Sequence, residues 1–484
     1  MAGGDEAVPG RNVCLDALAT AVQHTLGEGG RWYTSAKTLQ EVCLDLCLAC
    51  RACRDTSTWR VVVKAGTPTR LWVRGDLGGG GNEEPGALRI PPLPVRAVTL
   101  EAHPVDILAR LSGVDGEQGV DVVDGRKRLC WPDTLRHLAF EDGFDWSIER
   151  LSLPSFLQRL HLGGKFDQPI VGIEWTSSLQ ILSFGKNFDR PIVDVVWPTF
   201  LKRLTFGDSF NHSIIGVVWP ASLEQLAFGN KFDQHIVGVE WPSSLRQLEF
   251  GEMFSQPISG VEWPGSLQEL TMGWGFNRTI IGVEWPASLQ RLTFGGTFNQ
   301  PIVGVEWSVS LEHLTFGMEF NKPIVGVAWP ASLKQLAVGW DFNQPVVGVE
   351  WPASLQQLVF GGKFNQPLVG VEWPPSLERL SFGYYFNQPI VGVEWSASLQ
   401  ELTFGYRFQQ PIIGVKWPAS LEQLTLEGLF NQPVIGVEWP ASLQQLTFGN
   451  CFKQPILAVE WPASLRSLKV GGNDVDTFHR VDEE

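Results

Sequence analysis

The sequence contains no run of eighteen apolar residues, so no membrane-spanning helix is expected. It has no basic excess: 37 Lys and Arg stand against 52 Asp and Glu, a formal charge of −15. Residues 1–128 hold fifteen basic and sixteen acidic residues, or −1, so −14 falls on the rest. Nucleic-acid grooves need a basic face, and no nucleic-acid partner is expected. Only eight His are present. None has metal-ligand spacing or joins Ser and Asp in the pattern of a nucleophilic triad, and there is no Gly-rich phosphate loop. The chain is therefore read as a non-enzyme with no catalytic residue, no cofactor and no metal. The stretch 1–11 lacks the apolar centre of a secretory signal, and seven Cys is an odd number. Both point to reduced thiols and to the cytoplasm or nucleus.

What the sequence does have is Trp at a fixed interval. Trp stands at 131, then at every 22nd residue from 175 to 461, with Leu153 in the one missing slot. From 131 to 461 is 330 residues, fifteen steps of 22, so there are sixteen units without insertion or deletion. A constant period of this length is the mark of a solenoid whose repeats touch mainly their neighbours. Counting from the Trp slot, positions 5 and 8 are Leu in every unit, and position 14 is Phe from Phe144 to Phe452. Stacked, these become continuous apolar rows that fill an interior no single coil could build.

Positions 7 to 10 alternate polar, Leu, polar, apolar, which predicts a half-buried strand whose neighbours are the same strand one coil away, hence a parallel sheet. Positions 11 to 17, typically G-x-x-F-N-Q-P, predict a bend, with Gly supplying positive φ. Positions 18 to 22, such as Ile302–Glu306, read as extended. Short polar side chains at position 15, Asn, Asp or Ser apart from Gln409 and Lys453, are suited to satisfying backbone groups of the next coil. No segment of the repeats offers ten residues at helical period, so few helices are expected there. The fold class is mainly β, a parallel solenoid with a small α/β module before it. At ~4.8 Å per coil, sixteen coils make a sheet of about 75 Å.

The pattern L-x-x-L-x-F-G-x-x-F-N-Q-P-I resembles the FNIP repeat, a variant of the leucine-rich repeat, over roughly residues 131–470. This chain has Trp-Pro where that family usually has Leu-Pro. The resemblance implies leucine-rich-repeat-like coils with a sheet on one side, used for protein contacts, and it carries over no catalytic residue.

Four regions follow: 1–60, helical; 61–128, a mixed cap with a Gly-rich loop at 77–86; 129–470, the sixteen repeats; and 471–484, an acidic tail. Residues 13–26 and 35–54 read as helices, 59–64, 69–74 and 95–101 as strands, and 104–112 as a short helix. The first sixty residues resemble an F-box in their apolar helix, the segment Leu46–Cys53 and Trp59, although the usual Leu-Pro opening is missing and a Cys stands where Trp is common. That resemblance implies a substrate-recognition adaptor of a ubiquitin ligase. Cys43, Cys47, Cys50 and Cys53 would share one helix face and are read as buried thiols.

Position 22 is Glu in ten units and is read as a solvated acidic row. Positions 12 and 13 are the freest in the template. Position 12 holds Trp274, Met318, Trp340, Tyr384 and Tyr406, and position 13 adds Tyr385. A slot that accepts Gly, Asp, Lys and Trp alike is not a core slot. These six residues are therefore expected on an exposed rim of coils 7 to 13 and to contact a protein partner; packing flat on neighbouring coils is the competing reading. The expected function is a protein-interaction scaffold, monomeric, using the strand face and this aromatic row. A carbohydrate-binding β-solenoid ranks last, because the strand face offers only isolated acids such as Glu249, Glu269 and Glu401.

Overall fold

The computed structural model describes residues 135–475 except 141, 146, 150 and 152, and before them the backbones of four strands. These are β1 (Arg60–Lys64), β2 (Ala97–Glu101), β3 (Val120–Val123) and β4 (Arg126–Leu129). The F-box-like segment, its Cys cluster, the helices expected at 13–26, 35–54 and 104–112, the strand at 69–74 and the Gly-rich loop lie outside the described residues.

Two compact units are formed. The first comprises Met1–Gly163 with Glu174–Leu179. Within it β1 pairs in parallel with β2, β2 with β5 (His137–Phe140), and β5 with β6 (Arg159–His161). The strands expected at 59–64 and 95–101 are thus present, and they extend the parallel pairing ahead of the repeats. β3 and β4 form a separate antiparallel hairpin, Val120 opposite Leu129, that the sequence reading did not anticipate.

The second unit comprises Gly164–Ile173 with Gln180–Glu484. Fourteen strands, from β7 (Ile181–Ser183) to β20 (Ser467–Val470), follow one another in parallel order. Each residue faces its counterpart 22 positions on, as in Gln247↔Glu269, Leu248↔Leu270 and Glu249↔Thr271. Among the described residues there is no helix. The rows expected inside are inside: Leu333, Leu336, Phe342 and Val346, from positions 5, 8, 14 and 18 of one coil, are all at most 1% exposed. The position-14 rings stack coil upon coil, 6.1 Å between the centroids of Phe320 and Phe342 and 6.0 Å between Phe342 and Phe364. Such offset stacks add to the area they bury.

The polar row at position 15 is a ladder. The amide of Asn343 donates to Asn321 Oδ1 at 2.9 Å, Asn365 to Asn343 at 2.9 Å, and Asn387 to Asn365 at 2.8 Å. The Gln that follows reinforces it, with Gln366 Nε2 donating to Asn343 Oδ1 at 3.0 Å. Ser at position 4 adds a second row: Ser354 Oγ donates to the Leu333 carbonyl of the previous coil at 2.7 Å.

Two local expectations are corrected. Positions 18 to 21 are a tight turn, not an extended segment. The Gly at position 20 takes φ near +80° (Gly326 +80°, Gly348 +82°), and the amide at 21 bonds back to the carbonyl at 18, as in Val349 to Val346 at 3.3 Å. Asp194 occupies this slot once, at φ 72°. The Gly at position 11, by contrast, does not use positive φ, save Gly471 (φ 63°) in the last coil. It is Gly because the coils press together there: a Cβ on Gly317 would collide with the carbonyl of Gly295. At the far end β21 (Asn473–Asp474) turns back antiparallel on β20 and pairs with that strand, with Lys469 3.9 Å from Asp474.

Candidate interaction surface

Residues held to the template leave few slots free, and the rim at positions 12 and 13 is where freedom concentrates. All six expected contact residues are exposed: Trp274 52%, Met318 49%, Trp340 45%, Tyr406 43%, Tyr385 38% and Tyr384 37%. Packing and exposure turn out to be compatible. The Trp274 ring lies over Gly296 and the Trp340 ring over Gly362, each so closely that a Cβ on the glycine would collide with the ring, and a Cβ on Gly428 would meet the Tyr406 carbonyl first and the edge of its ring next. The side chain leans onto the next coil and stays more than two-fifths exposed.

Four of the six come together. Tyr384 and Tyr406 stack with centroids 4.9 Å apart and planes at 6°. Tyr385 meets Tyr384 edge-on at 4.9 Å, and Trp340 reaches across a whole coil to Tyr384 at 6.4 Å. The Arg407 guanidinium lies 4.8 Å from the Tyr385 centroid and 5.9 Å from that of Tyr384. It is exposed and makes no ion pair among the described residues. Trp274 stands apart on its own glycine, and Met318 fills the slot before Trp340. The charges flanking the row are Glu319, which is exposed and has no side-chain partner among the described residues, and Asp341, paired with Lys363 at 2.9 Å.

The strand face is polar and largely satisfied by its own neighbours. Arg203 bonds Gln225, Gln225 bonds Gln247 at 2.5 Å, Gln247 bonds Glu269 at 3.0 Å, and Glu269 stands 3.8 Å from Arg291. Lys334 pairs with Glu312 at 2.9 Å, and its hydrogen bond holds that carboxyl below the ordinary Glu range. The Glu row at position 22 is exposed, as expected, from Glu174 to Glu460.

Sequence reasoning missed two features. The glycine seats were legible only as a relation between coils, since each of Trp274, Trp340 and Tyr406 is followed 22 residues later by Gly. The outward Val and Ile at position 19 were read as part of an extended segment. The turn points them out instead, with Val303 45%, Val325 43% and Val347 47% exposed.

The family model described as FNIP Repeat matches residues 188–231, 342–385, 364–393 and 386–428. The chain carries FNIP repeats. A solved structure described as "The crystal structure of CroV588 a novel circular LRR protein structure" is 36% identical, with a TM-score of 0.59, over 70% of this chain and 57% of that one. The chain thus spans little more than half the length of that leucine-rich-repeat protein. YopM from Yersinia enterocolitica WA-314 is 15% identical over 95% of this chain and 100% of its own, with a TM-score of 0.41, too distant a likeness to build on. No curated protein matches the chain. Among the described residues no group of His, Cys, Asp and Glu is arranged to hold a metal ion, and no helix is long and apolar enough to cross a membrane.

Proposed function

We propose that the chain is a protein-interaction scaffold that seats a partner on the exposed strand face and on the aromatic rim of coils 7 to 13. The observation that carries this reading is the cluster of Trp340, Tyr384, Tyr385 and Tyr406. Each of these rings is more than a third exposed, yet each belongs to a coil whose core is filled without it. Large aromatic side chains at an accessible, preorganised surface supply most of the binding energy in many interfaces. The repeat fold is of the kind used for such contacts, and nothing in the cluster resembles paired acids or a nucleophile.

The test is affinity purification from cell extract with the full chain and with the W340A/Y384A/Y406A variant. Proteins recovered by the first and lost by the second, with Tm unchanged, support the reading. Identical recoveries, or a collapse of Tm in the variant, remove it. A third bait, residues 125–484, addresses the adaptor role implied by the F-box resemblance: ligase scaffold proteins recovered only by the full chain would support it.

A further inference from the structure

The position-12 row has a period of its own, three coils long. From coil 7 it reads Trp274, Gly296, Met318, then Trp340, Gly362, Tyr384, then Tyr406, Gly428, Asn450. An aromatic, a glycine beneath its ring and a larger side chain recur at 66 residues, twice in succession after the first. The neighbouring position 13 does not repeat at that interval: over the same coils it reads Gly275, Thr297, Glu319, Asp341, Lys363, Tyr385, Arg407, Leu429, Cys451. The rim therefore carries three aromatic–glycine pairs at this interval, with Trp274 laid on Gly296, Trp340 on Gly362, and Tyr406 set against Gly428 with Tyr384 stacked on its ring. The third differs in detail, Gly428 taking φ 65° after Glu427 replaces the usual position-11 Gly.

Three coils at ~4.8 Å place successive seats about 14 Å apart. That interval selects among peptide conformations. In an extended chain four residues cover about 13–14 Å, and side chains four apart point the same way. A polyproline II helix covers about 14 Å in four to five residues, which leaves the anchors on different sides of its three-fold axis. An α-helix needs nine or ten residues for about 14 Å, again out of phase with its 3.6-residue turn. The free charges add polarity. Glu319 and Arg407, both exposed and both without an ion-pair partner among the described residues, lie four coils apart, about 19 Å, or roughly six extended residues. Asp341 and Lys363 between them neutralise one another.

We infer that the rim binds an extended peptide segment of another protein, with apolar anchors at every fourth residue on the three aromatic seats. A cationic side chain faces Glu319 and an anionic one, roughly six residues away, faces Arg407. This rests on the scaffold reading above and sharpens its partner to a chemical class. Gly362 is here a positioning residue: it touches no ligand, but only a side chain without Cβ leaves room for the Trp340 ring.

The test selects a random sixteen-residue peptide display library on the immobilised full chain. The chosen peptides are then measured by fluorescence anisotropy against wild type, W340A, G362A and an E319K/R407E charge swap. The expected result is a set of binders with apolar residues at i, i+4 and i+8 whose affinity falls about tenfold or more with W340A or G362A. The charge swap should favour peptides of reversed polarity, an effect that a purely structural Glu319 or Arg407 would not produce. Binders lost in W340A but with no fourth-residue spacing overturn the extended-peptide inference and leave the scaffold reading standing. Binders indifferent to every rim variant, or no enrichment, overturn both. Self-association of the chain in sedimentation, abolished by W340A, overturns the inference in favour of a second copy as the occupant.

Discussion

Coils 3 to 6 and coils 7 to 13 share a backbone, a core and most of a hydrogen-bond ladder, and they part company at one slot. In the first group position 12 reads Lys186, Asp208, Asn230, Glu252; in the second it reads Trp274, Gly296, Met318, Trp340, Gly362, Tyr384, Tyr406. Phe210 and Phe342, one from each group, are equally buried, and Leu204 and Leu336 occupy the same strand register. The difference teaches that the coil is indifferent to what stands on its rim. Stability is set by rows that both groups keep, so the aromatic stretch is free to answer to something outside the molecule.

The comparison can be broken most forcefully from within. Leu336→Ala empties a fully buried site between two filled coils and should cost about 2–5 kcal/mol, read as a shift in the denaturation midpoint. Leu204→Ala in the other group should cost as much, and a large disparity would show that the two groups do not share one core. Gly317→Ala comes next. Its Cβ meets the backbone of the previous coil, which cannot swing aside as a side chain can, so a loss of about 1–3 kcal/mol is expected. Asn343→Ala leaves the Asn365 amide without its acceptor, while Gln366 Nε2 keeps only the residue-343 main-chain carbonyl, and it should cost about 1–3 kcal/mol by the same measurement.

Rim variants sharpen the comparison from the other side. Trp340→Ala and Gly362→Ala should each move stability by about 0.5 kcal/mol or less, because the ring lies outside the core and can rotate off its seat. A Tm loss equal to that of Leu336→Ala would make the rim structural after all. The smallest effect belongs to pH and to the first two coils. Burial holds His137 and His161 below the ordinary His value; Arg159 adds to this at His137, and the Asp142 carboxylate partly offsets it at His161. Stability from these groups is complete above about pH 6.5 and is lost as the pH falls through that value towards their lower folded values. A Tm scan from pH 7.5 to 5.5 should show a fall of about 2 °C or less, diminished in a His161→Gln chain.

Much of this architecture is written in the repeat. Leu at positions 5 and 8 with Phe at 14 announces inward rows, because no exposed slot holds one residue type through sixteen copies. Strand and parallel sheet follow from Leu336 and its polar neighbours alternating across one short run. The Asn ladder was also legible, since a buried bend must satisfy its amides. What could not be read was the reason for each glycine. Gly348 is needed for its φ, Gly317 for its missing Cβ against backbone, and Gly362 for its missing Cβ beneath a ring. Composition records all three as the same letter, and only the residue 22 positions away tells them apart. Likewise Val347 looks like core in sequence, and one turn at the adjoining glycine faces it outward. The aromatic rim was visible as a departure from the template, but its seats were not, because they belong to pairs of coils.

The side-chain ladder at position 15 is not continuous. It runs from Asp167 to Ser255, whose hydroxyl passes no bond to Asn277, although Arg278 reaches the Ser255 carbonyl at 2.6 Å. It resumes from Asn277 to Gln409, whose Nε2 donates to the Leu429 carbonyl and whose Oε1 accepts from Gln432 Nε2 at 3.4 Å and not from the Asn431 amide. In a stack where each coil is held mainly by its neighbours, cooperativity is handed along coil by coil, and a missing rung is where least is handed on. The block from Asn277 to Gln409 should therefore open and close as a single breathing piece, its slow amides exchanging with solvent at a shared rate. The rim from Trp274 to Tyr406 spans almost the same coils. A molecule lying along it would bridge rung to rung, and the signature of its arrival would be a collective slowing of that one block.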